Sequence, residues 1–331
     1  MKITRDREVR WGILGVGDVC EVKSAPAMNL VQNSRIQAVM RRNEKLAKDY
    51  AHRHHVSRWY SDADALISDA DVNAIYIATP PHVHMELTLK AIAAGKPVYV
   101  EKPMARTYQE CQQMMAASDT AGVPLYVAYY RRTLPHFVRI RELIEAGAIG
   151  DIRHVRITLN QELLPDLVRN LDNNWRVDPD IAGGGYFYDL ASHQLDLLDF
   201  LLGPIKTAKG LTANQAGKYA AEDIVSATFE FESGVMGTGV WCFSSSRVST
   251  EDRMTIVGSH GQISFETFGS GEFVLEKDET EKEIFTFDLP QPIQQFLIQA
   301  VVDELLGRGS SPSTATSGAR TNWVMEQICK S

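Results

Sequence analysis

A β-favouring apolar run, Val9-Arg-Trp-Gly-Ile-Leu14, leads without a break into Gly15-Val-Gly17-Asp-Val-Cys20. A strand, a Gly-x-Gly turn and then a helix is the dinucleotide-binding arrangement. The first glycine permits the tight turn, and the second lets a pyrophosphate approach the backbone. The helix amino terminus adds NH groups and a favourable dipole. Gly15, Gly17, Asp18 and Val19 are therefore the candidate pyrophosphate contacts. Cys20 stands where the fingerprint has a third Gly or Ala, so the motif is incomplete, although a small side chain still lets helix and strand pack.

The pattern then repeats. Ile36 to Met40 reads as a second strand and ends in Arg41-Arg42-Asn43; a helix follows from Glu44 to His54. Val72 to Ala78 is a buried strand that exits through Thr79-Pro80-Pro81-His82-Val83-His84, and Met85 to Ala94 is helical. Val98-Tyr99-Val100 is a further strand, with Glu101, Lys102 and Pro103 at its end. Gln109 to Ala121 forms a helix, and Leu125 to Tyr129 a strand before Tyr130-Arg131-Arg132. Strands alternating with helices at this spacing predict a doubly wound parallel sheet over residues 1–130. Ligands of such sheets sit beyond the carboxyl ends of the strands.

Three of those ends carry chemistry. Arginine at the second strand end suits the 2′-phosphate of NADP, whereas an acid there binds the ribose of NAD. Arg41 and Arg42 occupy the spot, so NADP(H) is favoured and NAD(H) remains the alternative. The competing reading is a solvent-exposed start of the next helix. Thr79, Pro80 and His84 belong to a rigid turn facing the cofactor. Lys102 would point at bound ligand, where partial burial can tune an ammonium for proton handling; the competing reading is an ordinary loop lysine. His52, His54 and His55 have no carboxylate or cysteine nearby to complete a metal set, and no metal is expected.

From Asp151 on the chain changes character, with longer alternating strands: Ile152 to Leu159, Ile224 to Phe231, Val235 to Phe243, Met254 to Val257 and Gln262 to Phe265. Strand runs without helices between them predict a largely antiparallel sheet in a second α+β domain over residues 131–331, whose last segment is a candidate to pack back on the first. One helix interrupts the strands, Tyr186 to Leu202, after Gly183-Gly184-Gly185. Asp189, Ser192, His193 and Asp196 fall at i, i+3, i+4 and i+7 and form one polar stripe. An acid one turn before a histidine can orient the ring and support its protonated form; a plain solvent-facing stripe is the alternative.

A length of 331 residues suits two domains. The formal charge of −8 argues against nucleic acid as the main partner. The charged start, Met1 to Arg10, lacks an apolar signal core, and no run is apolar enough for a bilayer, so no membrane association is expected. The dispersed Cys20, Cys111, Cys242 and Cys329 fit a reducing cytoplasm.

Taken together the chain resembles the glucose–fructose oxidoreductase / inositol dehydrogenase (Gfo/Idh/MocA) family. The carriers are Gly15-Val-Gly17-Asp-Val, Thr79-Pro-Pro-His-Val-His84, Glu101-Lys102-Pro103, Tyr130-Arg131-Arg132, Asn174-Trp175-Arg176 and Gly183-Gly-Gly with Asp189-Leu-Ala-Ser-His193. The resemblance implies a Rossmann domain and an open, mostly antiparallel sheet that often forms oligomer contacts, hence a homodimer or homotetramer. It implies that Lys102, Asp189 and His193 line the place where nicotinamide meets substrate, with Glu101 beside the cofactor. Tyr130, Arg131, Trp175 and Arg176 match positions near the substrate. Arg41 departs from the aspartate of many NAD-preferring members. The expected activity is hydride transfer between nicotinamide and a carbinol or carbonyl carbon of a sugar, polyol or related cyclic alcohol. A dihydrodiol or xylose dehydrogenase-like activity uses the same residues, and a non-catalytic dinucleotide sensor is the alternative from another class. His193 is the natural acid/base and Lys102 the polarising cation, although the two roles can be exchanged.

Overall fold

The computed structural model describes residues 8–163 and 174–330; most of the charged amino-terminal stretch lies outside them. The chain forms two compact units, one comprising the described residues up to Tyr130 with Pro290–Ala319, the other Arg131–Leu289 with the residues from Arg320. No helix among the described residues is long and apolar enough to cross a membrane.

Among the described residues the first unit has six strands: β1 (Val9–Leu14), β2 (Ser34–Met40), β3 (Arg58–Tyr60), β4 (Ala74–Ile77), β5 (Val98–Val100) and β6 (Leu125–Val127). They pair in the order β3-β2-β1-β4-β5-β6, all parallel. Helices cover both faces of such a sheet, which is why β4 and β5 are apolar throughout and buried at every residue. The strand order reverses beside β1, the switch point where sheets of this kind open a crevice. The helix after the glycine turn is short, Asp18–Val22, and a second begins at Ala25 with Pro26 in its first turn. Proline has no NH to continue the preceding helix, so the chain turns there.

A polar cluster sits within this apolar unit. Glu101, 8% exposed, accepts hydrogen bonds from Tyr76 Oη (2.7 Å), Gln294 Nε2 (2.9 Å) and the Lys102 amide (3.2 Å). Tyr99 Oη donates to Gln294 Oε1 at 3.0 Å, and the Tyr76 and Tyr99 rings stack at 5.2 Å. Gln294 precedes the helix Gln295–Leu305, and Ser313 Oγ donates to the Val127 carbonyl (2.6 Å) at the end of β6. The segment Pro290–Ala319 thus belongs to the first unit through specific polar bonds as well as apolar packing.

Among the described residues the second unit holds eight strands: β7 (Ile152–Glu162), β8 (Ile205–Ala213), β9 (Ile224–Phe231), β10 (Met236–Ser245), β11 (Glu251–Gly258), β12 (Gly261–Phe265), β13 (Glu272–Lys277) and β14 (Glu283–Thr286). The order is β14-β13-β12-β11-β7-β10-β9-β8, antiparallel except for the parallel pair β7–β10. Alternation sorts the side chains of β7, β9 and β10, whereas β11 and β12 bury three consecutive residues each. Val225, Ala227, Phe229, Trp241, Leu159, Ile157, Met254, Ile263 and Phe265 are buried, each large one stabilising the unit by about 1.5–3 kcal/mol. Ser226, Thr228, Thr238 and Val240 on the other face are exposed. The edge strands β8 and β14 were not legible in the sequence, because they expose residues on both faces; β13, an inner strand between β12 and β14, was not read either.

Gln294→Met removes a donor from the buried Glu101 and an acceptor from Tyr99, so it should lower the free energy of unfolding by about 1–3 kcal/mol. Urea denaturation measures this. A loss below about 0.5 kcal/mol would mean that the cluster carries no net stabilisation.

Candidate functional site

In the first unit the sequence-predicted residues collect at one edge of the sheet, beyond the carboxyl ends of the strands. Gly15 follows β1 at φ +91°, and a Cβ there would lie 2.6 Å from Thr79 Cγ2 and 3.1 Å from Thr79 N. Glycine is thus required twice over, by backbone angle and by the close approach of the turn after β4. At Gly17 a Cβ would meet nothing nearer than the Gly15 carbonyl oxygen at 3.9 Å, which leaves open space above the turn. The Gly15 and Val16 amides both donate to the Met40 carbonyl, at 2.9 and 3.2 Å, tying this turn to the end of β2. Asp18 and Val19 begin the short helix, and Cys20 is fully buried, with burial pushing its thiol up to about 12. Cys20 therefore packs as a small apolar residue.

Arg41 and Arg42 follow β2, both exposed. Among the described residues neither guanidinium has an ion-pair or hydrogen-bond partner; the next helix is capped by Asn43, whose Oδ1 accepts from the Leu46 amide at 3.2 Å. Thr79 Oγ1 is buried and has no hydrogen-bond partner among the described residues. Space above Gly17, an unsatisfied Thr79 hydroxyl and two cations at the β2 end fit the pyrophosphate and ribose of a dinucleotide. Lys102, partly buried, follows directly on the anchored Glu101.

His84 has a different place from the one expected. Its ring is wholly buried, with Nε2 2.8 Å from the Thr79 carbonyl and Nδ1 3.2 and 3.3 Å from the carbonyls of Pro103 and Met104. It clasps the turn after β4 to the turn after β5, and burial lowers its pKa below the ordinary histidine value. Its influence on Thr79 and Lys102 runs through the backbone.

In the second unit the expected helix begins as a wide π-type turn, Phe187–Ala191, and continues as the helix Ser192–Leu202. The stripe is not solvent-facing: Ser192, His193 and Asp196 are at most 5% exposed. Arg132 explains how Asp196 is tolerated inside. Its Nε and Nη2 lie 2.8–3.1 Å from the Asp196 carboxylate, and Nη2 also reaches Asp199 Oδ1 at 2.9 Å. Arg320 completes the group on Asp199 at 2.6 and 2.7 Å.

Asp189, on the wide turn, lies 3.3 Å from Arg176 Nε, and the Arg176 guanidinium stacks 4.5 Å from the Trp175 ring. Asn174 Nδ2 donates to Tyr186 Oη at 2.8 Å and fixes the start of that segment. The structure thus joins Trp175 and Arg176 to Asp189, four residues before His193. Arg131 is 6% exposed and reaches inward; its Nε donates to the Thr267 carbonyl at 3.0 Å, and its guanidinium lies 4.6 Å from the Phe268 ring. His193 meets the same ring at 6.0 Å. Tyr130, 9% exposed, ends the first unit. Sequence reasoning missed Phe268, Gln194 and Asp252, which cluster here, and Tyr76 and Gln294 around Glu101. For Phe268 one signal existed: an aromatic residue inside the turn Thr267-Phe268-Gly269-Ser270-Gly271.

Residues 9–129 match the model of an oxidoreductase family with an NAD-binding Rossmann fold, and residues 137–264 match the GFO/IDH/MocA C-terminal domain. The chain is 36% identical over 324 residues to Oxidoreductase P35 of Formosa agariphila, covering 98% of this chain and 99% of that protein. It is 30% identical over 229 residues to 1,5-anhydro-D-fructose reductase of Ensifer adhaerens, covering 69% of this chain and 67% of that one. In fold it is similar to levoglucosan dehydrogenase in complex with NADH and levoglucosan, with a TM-score of 0.85, 24% identity, and 97% and 96% of the two chains covered.

Proposed function

The chain belongs to the GFO/IDH/MocA oxidoreductase family and is an NAD(P)-binding oxidoreductase, and from that premise we propose that it moves a hydride between nicotinamide and the hydroxyl-bearing or carbonyl carbon of a sugar, polyol or related cyclic alcohol. The carrying observation is the collection of Gly15, Gly17, Arg41, Thr79 and Lys102 at the carboxyl ends of β1, β2, β4 and β5. The likeness to a 1,5-anhydro-D-fructose reductase supports the sugar class.

The dinucleotide, when bound, supplies the hydride donor or acceptor. In the oxidative direction the substrate hydroxyl loses its proton as the hydride leaves the carbon. We assign that proton to His193, with Lys102 polarising the same oxygen; in reduction His193 returns the proton to the carbonyl oxygen. Arg176, held by Asp189 and stacked on Trp175, presents directional donors to substrate hydroxyls. Glu101 acts by fixing the backbone at Lys102. Tyr130 and Arg131 stand at the substrate as well, Arg131 by shaping its surroundings.

The favoured cofactor is NADP(H), on the two exposed guanidinia after β2 that have no protein partner among the described residues. Four cysteines without a disulfide support a cytoplasmic setting.

A screen of sugars, polyols and cyclic diols with NADP and NAD should show nicotinamide reduction and a preference for NADP. Arg41→Asp should narrow or reverse that preference, since one charge-assisted phosphate contact is worth about tenfold to a hundredfold in affinity. Equal affinity of the wild type for the two cofactors would sink the assignment.

The exposed hydroxylic and aliphatic face of the second-unit sheet, with Ser226, Thr228, Thr238 and Val240, supports a homodimer or homotetramer. Light scattering at micromolar concentration should report one of the two; a monomer would contradict it.

A further inference from the structure

The turn between β12 and β13 is held with unusual care for a glycine- and serine-rich loop. Asp252 Oδ2 accepts from the Phe268 amide at 2.6 Å, and Arg131 Nε donates to the Thr267 carbonyl at 3.0 Å. Gln194 Nε2 donates to Thr267 Oγ1 (3.2 Å) and lies 3.3 Å from Asp252 Oδ1, while Trp241 Nε1 donates to Gln194 Oε1 at 2.6 Å. Gln194 is wholly buried, and burial raises the pKa of Asp252. Buried polar groups cost stability unless paired, so this network specifies one position for the Thr267–Phe268 backbone.

What the network positions is a ring. Phe268 is only partly buried, although it follows the 3%-exposed Thr267. The Arg131 guanidinium lies 4.6 Å from its centroid, and the His193 ring 6.0 Å away at 78°. The cation draws on the negative π face of the ring, which keeps Phe268 from swinging away from His193.

We propose that Phe268 is a specificity-determining residue, its ring forming an apolar wall beside His193 against which the C–H face of a cyclic sugar or polyol packs. This rests on the reading of His193 as the group that works at the substrate oxygen. The weakly positive hydrogens of a sugar ring complement the negative face of an aromatic ring, and both are already rigid. An open-chain polyol would have to lose several rotors to present the same flat apolar surface. The wall therefore discriminates cyclic from open-chain substrates.

The test uses the full chain with NADP, levoglucosan and myo-inositol as cyclic probes, and D-sorbitol as the open-chain probe. Phe268→Ala and Phe268→Leu should each lower kcat/KM for the cyclic probes about 10- to 100-fold, mainly through KM, and lower it much less for D-sorbitol. Phe268→Tyr, which keeps the ring, should stay within about threefold of wild type. A mere prop for the fold would lower all three probes alike. An unchanged ratio of cyclic to open-chain kcat/KM in both Phe268→Ala and Phe268→Leu, with His193→Ala still inactive, overturns the proposal and leaves the role of His193 intact. Wild-type rates in His193→Ala overturn both. A wild type that oxidises neither cyclic probe overturns the proposal too.

Discussion

A carboxylate enclosed at the end of a central strand must find donors, and Glu101 finds them in three places. Tyr76 reaches across from the neighbouring β4, Gln294 comes from the segment that returns after residue 290, and the third is the amide of Lys102 itself. Leaving one such acceptor unsatisfied costs about 1–3 kcal/mol, more for a charge, so the arrangement has little freedom. Its consequence is positional. The backbone from which Lys102 projects is fixed by the side chain just before it, and His84 fixes the following turn through the Pro103 and Met104 carbonyls. Lys102, to which we assign the polarising role, is thus placed by its neighbours in the chain.

The second unit solves the same problem with opposite charges. A helix apolar nearly all round must be buried, yet Ser192–Leu202 carries Asp196 and Asp199 on that buried surface. Burial pushes the Asp196 carboxyl up, and the Arg132 guanidinium beside it pulls the other way. Breaking such a pair strands a charge and costs about 3–5 kcal/mol. Arg132 and Arg320 are therefore structural, and they hold the helix on which His193 rides. Adjacent arginines serve different ends here, since Arg132 neutralises the helix whereas Arg131 holds the Thr267–Phe268 turn.

What was legible in the sequence was local. The strands of the first unit other than the short, partly exposed β3, their glycine turn and the residues at their ends follow from apolar runs and turn chemistry within a few residues, and the parallel sheet follows from their alternation with helices. The family pattern added Lys102 and His193 as a pair of interest. Contacts between distant positions were not legible: Gln294 meets Glu101 across 193 residues, and no local pattern announces it. The polar stripe of Asp189, Ser192, His193 and Asp196 was correct as a spacing. Whether it faced water or the interior depended on Arg132 and Arg320, which periodicity does not contain. The parallel β7–β10 pair within an antiparallel sheet is likewise a matter of topology, since alternation looks the same in either direction.

The central claim is that Lys102 and His193 serve one substrate oxygen as a unit. A double-mutant cycle on kcat/KM with Lys102→Met, His193→Ala and the combined variant, at saturating cofactor, tests it most directly. Each single change should cost about 10²–10⁴ in rate while NADP(H) affinity changes far less, and the double variant should be little worse than the poorer single one. Losses that multiply in the double variant would mean that the two residues act independently, and the shared-oxygen mechanism would be wrong.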